Sequence, residues 1–111
     1  MPAYAIANLS NVDLNAEVQR YIATIDETLE PFDGRFLVHG KTPDVIEGSW
    51  ADTTIIIAFP DLERAYAWYR SPAYQEILPL RTENSQGDAI IIEGVEDGYR
   101  AASFLSKAVP R

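Results

Sequence analysis

The sequence lacks cysteine altogether and carries a single histidine among its 111 residues. Without cysteine the chain cannot form disulfide bonds, thiolate nucleophiles or zinc–thiolate sites. A chain free of disulfides suits a reducing compartment, so we expect a cytoplasmic protein.

Long apolar runs and an excess of basic charge are also missing. No run approaches the ~20 apolar residues of a membrane span. The first residues, MPAYAIANL, have no basic region leading into a long apolar stretch, so we expect no signal peptide. Lys and Arg number 9 against 17 Asp and Glu, which gives a net charge of −8. Because this charge repels phosphate and anionic lipid, we expect neither nucleic acid nor a membrane as a partner.

Motifs for metals and common cofactors are absent from the sequence. It contains no paired histidines at helical spacing, no acidic calcium loop, no G-x-G-x-x-G, no P-loop and no G-x-S-x-G elbow. We therefore expect no metal ion and no cofactor.

What the sequence does contain is one regular succession of strand and helix patterns. Short β-leaning runs occupy 3–9, 35–39 and 53–59, and a fourth begins after Gly87. A possible extended piece, 45–50, lies between the second and third. The order β-α-β-β-α-β predicts an α+β, ferredoxin-like fold with an antiparallel sheet in strand order 4-1-3-2.

Helical periodicity fills the two gaps between these strands. We expect the first helix to begin at Asp13 and the second at Asp61, with Ser71 and Pro72 restarting the second at a new angle and Pro79 bending or interrupting it. Apolar positions three and four apart predict the buried stripes. They are Leu14, Val18, Tyr21, Ile22, Ile25 and Leu29 in the first helix, and Leu62, Ala65, Tyr66 and Tyr69 in the second.

Two strands, TTIIIAF and AIII, are apolar at consecutive positions instead of alternating with polar residues. Both faces of such strands need cover, but the helices of this fold lie on one face only. We therefore expect a homodimer in which a second copy covers the other face. The alternative is cover by the chain's own tail. We divide the chain into a domain at 1–94 and an extension at 95–111 that packs on the same or the partner subunit.

Several segments together resemble the domain-of-unknown-function 1330 family: GRFLVHGK, VIEGSW, IIIAFPDLERAYAWYRSPAYQEILPLR and GDAIII. The resemblance covers residues 2 to about 94. It implies a dimeric α/β barrel, in which two ferredoxin-like sheets face each other, and it implies no particular reaction. The chain departs from the family pattern in one place, from the end of the first helix through the second strand. Asp33 and Gly34 stand where two glycines are usual, and His39 stands where arginine is common.

His39 is the candidate catalytic residue, because histidine alone among the side chains ordinarily titrates near neutral pH. At the end of a strand it could point into a cleft and act as a general base. The alternative is a histidine at a loop edge, exposed or bonded to the backbone.

The candidate ligand-binding residues are an arginine and five aromatic residues with polar tips: Arg35, Trp50, Tyr66, Trp68, Tyr69 and Tyr74. Tyr66 and Tyr69 could equally belong to the core, and Trp68 could close a cleft or pack on the partner. Arg35 and Arg81 could each bind a carboxylate or form a salt bridge.

These residues favour a small organic ligand held between the sheet and the helices. Acid/base or oxygen chemistry without a cofactor would suit such a site. The alternative is a binding or assembly module that catalyses nothing.

Overall fold

The computed structural model describes residues 1–108 and contains four strands and four α-helices in that part of the chain. In chain order they are β1 (Ala3–Ser10), α1 (Ala16–Leu29), β2 (Arg35–Lys41), β3 (Thr53–Phe59), α2 (Leu62–Arg70), α3 (Pro72–Thr82), β4 (Gln86–Glu93) and α4 (Ala101–Ala108). A short 3-10 helix, Glu30–Phe32, follows α1. Segment 45–50, which we considered as extended, forms no strand.

The strands form one antiparallel sheet in the order β2-β3-β1-β4. This is the expected order, read from the other edge, with β4 at an edge. The α+β, ferredoxin-like prediction is confirmed.

The two faces of the sheet differ because side chains alternate along each strand. The inner face carries Ala3, Ala5, Ala7 and Leu9 of β1, together with their register partners on β3 and β4. Helices α1, α2 and α3 lie over it, and the core forms there around Leu29, Phe59 and Trp68. The outer face carries Tyr4, Ile6, Ile56, Ile90 and Ile92.

Capping residues fix where the helices begin. Asp61 accepts a hydrogen bond from the backbone of Arg64 at 2.8 Å, and Ser71 caps α3 ahead of Pro72, as predicted. The prediction for α1 was wrong: its cap is Asn15, which accepts from the Val18 N–H. Asp13 instead donates its backbone N–H to the Asn84 carbonyl, which ties the loop before α1 to the end of α3.

One expectation about the helices is wrong, and one alternative of another is excluded. Leu14 and Ile22 are 65% and 39% exposed, because α1 turns only a narrower stripe of Val18, Tyr21, Ile25 and Leu29 inward. Pro79 does not interrupt α3, which continues to Thr82. A proline removes only one backbone donor, and here the remaining turns continue around it.

Helix α4 lies outside the core. Its two large apolar side chains, Phe104 and Leu105, are 58% and 60% exposed. Over residues 95–108, therefore, the tail does not blanket the outer face of its own sheet. Residues 109–111 of the predicted extension lie outside the described residues. Within residues 1–108, no helix is both long and apolar enough to cross a bilayer.

Candidate functional site

A cavity of about 290 Å³ lies between the inner face of the sheet and helices α1, α2 and α3. Its floor includes three alanines, Ala5 and Ala7 of β1 and Ala89 of β4. Ala7 and Ala89 are direct neighbours across the strands. Short side chains at these positions leave a gap that larger residues would fill, so the strand sequence itself creates the space.

Aromatic side chains from α2 and α3 form one wall of the cavity. Trp68 and Tyr74 are buried with ring centroids 4.0 Å apart, and Trp68 also contacts Phe59 at 5.4 Å. The Trp68 indole donates its N–H to the Thr28 hydroxyl at 3.0 Å. Trp68 is thus fixed within its own protomer, which excludes the alternative that it packs on a partner.

The predicted buried stripe of α2 is rotated from the observed one. Ala65 and Trp68 face the core, whereas Tyr66 and Tyr69 are 38% and 37% exposed. The large indole gains more by burial than a tyrosine, which keeps its hydroxyl in water at the helix flank. Tyr66 and Tyr69 nevertheless line the cavity, so they are rim residues and not core.

A polar cluster lies in the otherwise apolar lining. The hydroxyls of Tyr21 on α1 and Tyr74 on α3 are hydrogen-bonded at 2.7 Å in a buried position. The Arg81 guanidinium lies over the Tyr21 ring, 5.9 Å from its centroid, and is partly buried. All three side chains line the cavity.

Burial and proximity shift the protonation of this cluster. Burial is the main reason that the pKa of Tyr21 is raised, and the Tyr74 hydroxyl raises it further, while Arg81 only partly opposes them. Burial alone would lower the pKa of Arg81, but Tyr74 and Tyr21 more than offset this and the pKa is raised. Near neutral pH, Tyr21 is therefore a neutral hydroxyl and Arg81 a cation.

His39 lines the same cavity from β2. Its register partner Ile55 lies on the inner face, and its ring lies against Phe36 with centroids 4.6 Å apart. His39 is exposed, so it lies on the solvent side of the cavity lining, with Phe36 packed against its ring.

Two predicted ligand-binding residues do not belong to this lining. Arg35 pairs with Ala58 in the register and is exposed, so strand alternation directs it away from the inner face. Trp50 is 55% exposed and donates its indole N–H to Thr54 at 3.1 Å. The cavity therefore brings together His39, Tyr66, Trp68, Tyr69 and Tyr74, and it leaves out Arg35 and Trp50.

Several lining residues were not predicted from the sequence. Tyr21 was assigned to the buried stripe of α1, and Arg81 was weighed against a salt bridge and not placed in the site. The alternating alanines of AYAIANL were a readable signal, because small residues at every second position of a buried strand face leave room above it.

No cluster of three or more metal-ligating side chains occurs in residues 1–108.

Comparison with known families gives one match over most of the chain. The model of the family described as "Domain of unknown function (DUF1330)" matches residues 2–95. No curated protein matches the sequence significantly.

Solved structures share the fold at low sequence identity. A protein of unknown function from Rhodopseudomonas palustris, RPA0582, has a TM-score of 0.63 at 15% identity, with 86% of this chain and 83% of that chain covered. A dimeric ferredoxin-like protein of unknown function from Jannaschia sp. CCS1 has a TM-score of 0.51 at 14% identity, covering 81% and 98%.

An enzyme also has this fold. SnoaB, a cofactor-independent oxygenase from Streptomyces nogalater, has a TM-score of 0.51 at 10% identity, covering 89% of this chain and 96% of that chain. At such identities the likeness concerns the fold alone.

Proposed function

The chain belongs to the DUF1330 family, a domain of unknown function, and from this premise we propose that it binds one small organic molecule per protomer. The single observation that carries the proposal is the cavity between the sheet and the helices, with its alanine floor and aromatic wall. Its volume of about 290 Å³ is near the lower end for ligand pockets, which suits a compact molecule of one or two rings.

The proposal includes a homodimer built through the outer face of the sheet. Ile90 and Ile92 on this face are 52% and 50% exposed in a single protomer. A second copy would cover them, and the likeness to a protein described as dimeric and ferredoxin-like supports that arrangement. The exposed Phe104 and Leu105 of α4 provide further apolar surface, which we assign to the same interface.

Any chemistry in the cavity would fall to His39, the lining residue suited to proton transfer near neutral pH. Acid/base or oxygen chemistry without a cofactor is compatible with an apolar cavity that holds one histidine at its solvent side. The likeness to SnoaB, described as a cofactor-independent oxygenase, lends this part of the proposal only fold-level support.

Tryptophan fluorescence tests ligand binding directly. The chain has two tryptophans, and a Trp50→Phe variant retains only Trp68, which lines the cavity. In that variant, small aromatic acids, amides and alcohols that bind should change the Trp68 emission and raise the melting temperature.

A cavity-filling substitution provides the matched control. Ala7→Leu adds three carbons to the cavity floor, whereas Ala67→Leu adds the same three carbons at an exposed position of α2. Ala7→Leu should abolish both responses, and Ala67→Leu should leave them intact. If no compound in the panel produces a response, or if Ala7→Leu binds as well as the parent, the cavity is not a ligand site and the protein is better described as a non-catalytic module.

A further inference from the structure

The charge of Arg81 has no carboxylate partner among the described residues. The chain carries 17 acidic residues against 9 basic ones, so carboxylates are plentiful. Within residues 1–108, however, the ion pairs involve only Arg64, with Asp33 and Asp61. Arg81 is partly buried and lines an apolar cavity. The guanidinium carries only N–H donors, so an anion in the cavity would supply the acceptor that no carboxylate of residues 1–108 provides.

The Tyr21–Tyr74 pair beside Arg81 also supplies a hydrogen-bond donor. The two hydroxyls hold two protons, and the hydrogen bond between them uses one. The second proton has no protein acceptor among the side-chain hydrogen bonds of residues 1–108. Tyr21 and Tyr74 are 7% and 2% exposed, so this O–H group is buried beside the cavity. A buried hydroxyl proton without an acceptor favours a ligand oxygen placed next to it.

Donors thus outnumber acceptors at this place in the cavity. The guanidinium offers only donors, and the hydroxyl pair offers one more. The remaining lining is apolar or aromatic apart from His39. This composition suits one anionic oxygen group on an otherwise apolar body, and it disfavours a cation.

We propose that Arg81 and the Tyr21–Tyr74 hydroxyl pair form an anion subsite inside the cavity, so that the ligand is a small organic acid: an aryl or alkyl carboxylate, or an ionised phenol or enol. This inference rests on the proposed function and adds the chemical class of the ligand. The guanidinium binds the anionic oxygen and the free hydroxyl donates to it. The aromatic wall holds the rest of the molecule.

A matched pair of ligands distinguishes the effect of ligand charge on affinity from the effect of ligand shape. 2-Naphthoate and 2-naphthamide have nearly the same shape, but only the first is an anion at pH 7.5. By isothermal titration calorimetry, the carboxylate should bind at least tenfold more tightly than the amide. The net charge of −8 works against casual binding of anions at the surface, so such a preference would report a specific site.

Arginine variants show which residue causes the preference for the carboxylate over the amide. Arg81→Met removes the charge and roughly preserves length, and it should cost the carboxylate on the order of ten- to a hundredfold in affinity while leaving the amide unchanged. Arg35→Met is the matched control outside the lining and should change neither. Should Arg81→Met fail to fold, Arg81→Lys decides the matter, because it retains the charge but loses the planar fork and should weaken the carboxylate severalfold.

The pH dependence distinguishes Arg81 from His39 as the anchor. The ionisable groups lining the cavity are Arg81, His39 and four tyrosines, Tyr21, Tyr66, Tyr69 and Tyr74. Anchoring by Arg81 predicts an affinity for 2-naphthoate that is flat from pH 6 to pH 8.5. A rise in affinity toward the acidic end of this range, abolished by His39→Ala, would assign the anion to the imidazole and overturn the inference.

A separate experiment tests whether ionised phenols bind at this subsite. 4-Nitrophenol, compared at a pH below and a pH above its ionisation, should bind more tightly once ionised in the wild type and not in Arg81→Met. If only the carboxylate shows the Arg81-dependent preference, the ligand class narrows to carboxylic acids.

The remaining outcomes are also decisive. Equal binding of naphthoate and naphthamide, insensitive to Arg81→Met, overturns the anion subsite while the cavity remains a ligand site. Binding of no compound at all, with Ala7→Leu and the parent indistinguishable, removes the proposed function and the subsite together.

Discussion

Isoleucines stand on both the inner and the outer face of the sheet but meet different surroundings. Along β4, Ile91 packs against the core from the inner face, while its neighbours Ile90 and Ile92 are about half exposed on the outer face. Composition alone does not distinguish them. The difference arises because three helices lie over one face and none of the described elements covers the other.

The two faces also differ in the size of their side chains. On the inner face, small residues such as Ala5 and Ala7 stand beneath large aromatics, and space remains between the two layers. On the outer face, Ile6 and its register partners Ile56 and Ile90 project from adjacent strands and form a continuous apolar surface. A gap suits a small molecule, whereas a continuous apolar surface suits a second sheet.

The largest expected effect concerns the inner face. Trp68→Ala removes a buried indole that contacts Phe59 and Tyr74 and leaves the Thr28 hydroxyl without its donor. We expect the free energy of unfolding to fall by about 3–5 kcal/mol. Urea denaturation followed by circular dichroism measures this.

The matched control for that substitution is Trp50→Ala, which truncates the exposed tryptophan. It should change the free energy of unfolding by less than about 1 kcal/mol. Comparable losses in the two variants would contradict the assignment of Trp68 to the core.

A charge on the outer face should weaken the proposed dimer without unfolding the protomer. In a twofold interface Ile90→Asp occurs twice, and losing two buried isoleucine contacts amounts to about 3 kcal/mol, on the order of a hundredfold weaker association. Sedimentation velocity over a range of concentrations measures the shift from dimer to monomer.

Leu14→Asp places the same charge at an exposed apolar residue just before α1 and serves as the control. It should leave the association unchanged. A dimer that survives Ile90→Asp at full affinity would mean that the outer face is not the contact surface.

The smallest effect concerns the tyrosine pair. Tyr21→Phe removes the hydrogen bond to Tyr74, and we expect a loss of about 1 kcal/mol near neutral pH. Because burial raises the pKa of Tyr21 in the folded state, its neutral hydroxyl contributes fully below pH 10. The contribution is lost as the pH rises further, since the unfolded chain then ionises more readily.

The difference in stability between wild type and Tyr21→Phe should therefore shrink above pH 10, by up to about 1.4 kcal/mol per pH unit. Guanidinium denaturation at pH 7, 10 and 11 measures it, with Tyr66→Phe as the exposed comparison. A difference that is constant across this range would contradict a buried, neutral Tyr21.

Much of the fold could be predicted from local patterns. The order of elements and the Asp61 and Ser71 caps follow from residue types at fixed spacings, and the strand order with β4 at an edge follows from the usual topology of that element order. All of them agree with the structure. The rotation of a helix about its own axis was harder to predict from the sequence. In α2 the predicted stripe of Leu62, Ala65, Tyr66 and Tyr69 differs from the observed one, which buries Ala65 and Trp68.

The candidate site was predicted in part, for a similar reason. His39, Trp68 and Tyr74 do line one cavity, but Arg35 and Trp50 do not. Arg35 stands one residue before Phe36, and in a strand that single step changes the face of the sheet. The register of β2 against β3, which includes two shifts, was not readable from the sequence.

The sequence by itself determined the order of elements, the acidic surface and the presence of strands that need cover on both faces, because these depend on composition and short-range periodicity. Tertiary structure alone brought Tyr21 of α1 to Tyr74 and Arg81 of α3, more than 50 positions away along the chain. It did so because α1 and α3 pack side by side over the sheet, and no local pattern in either helix encodes which of its neighbours it will meet.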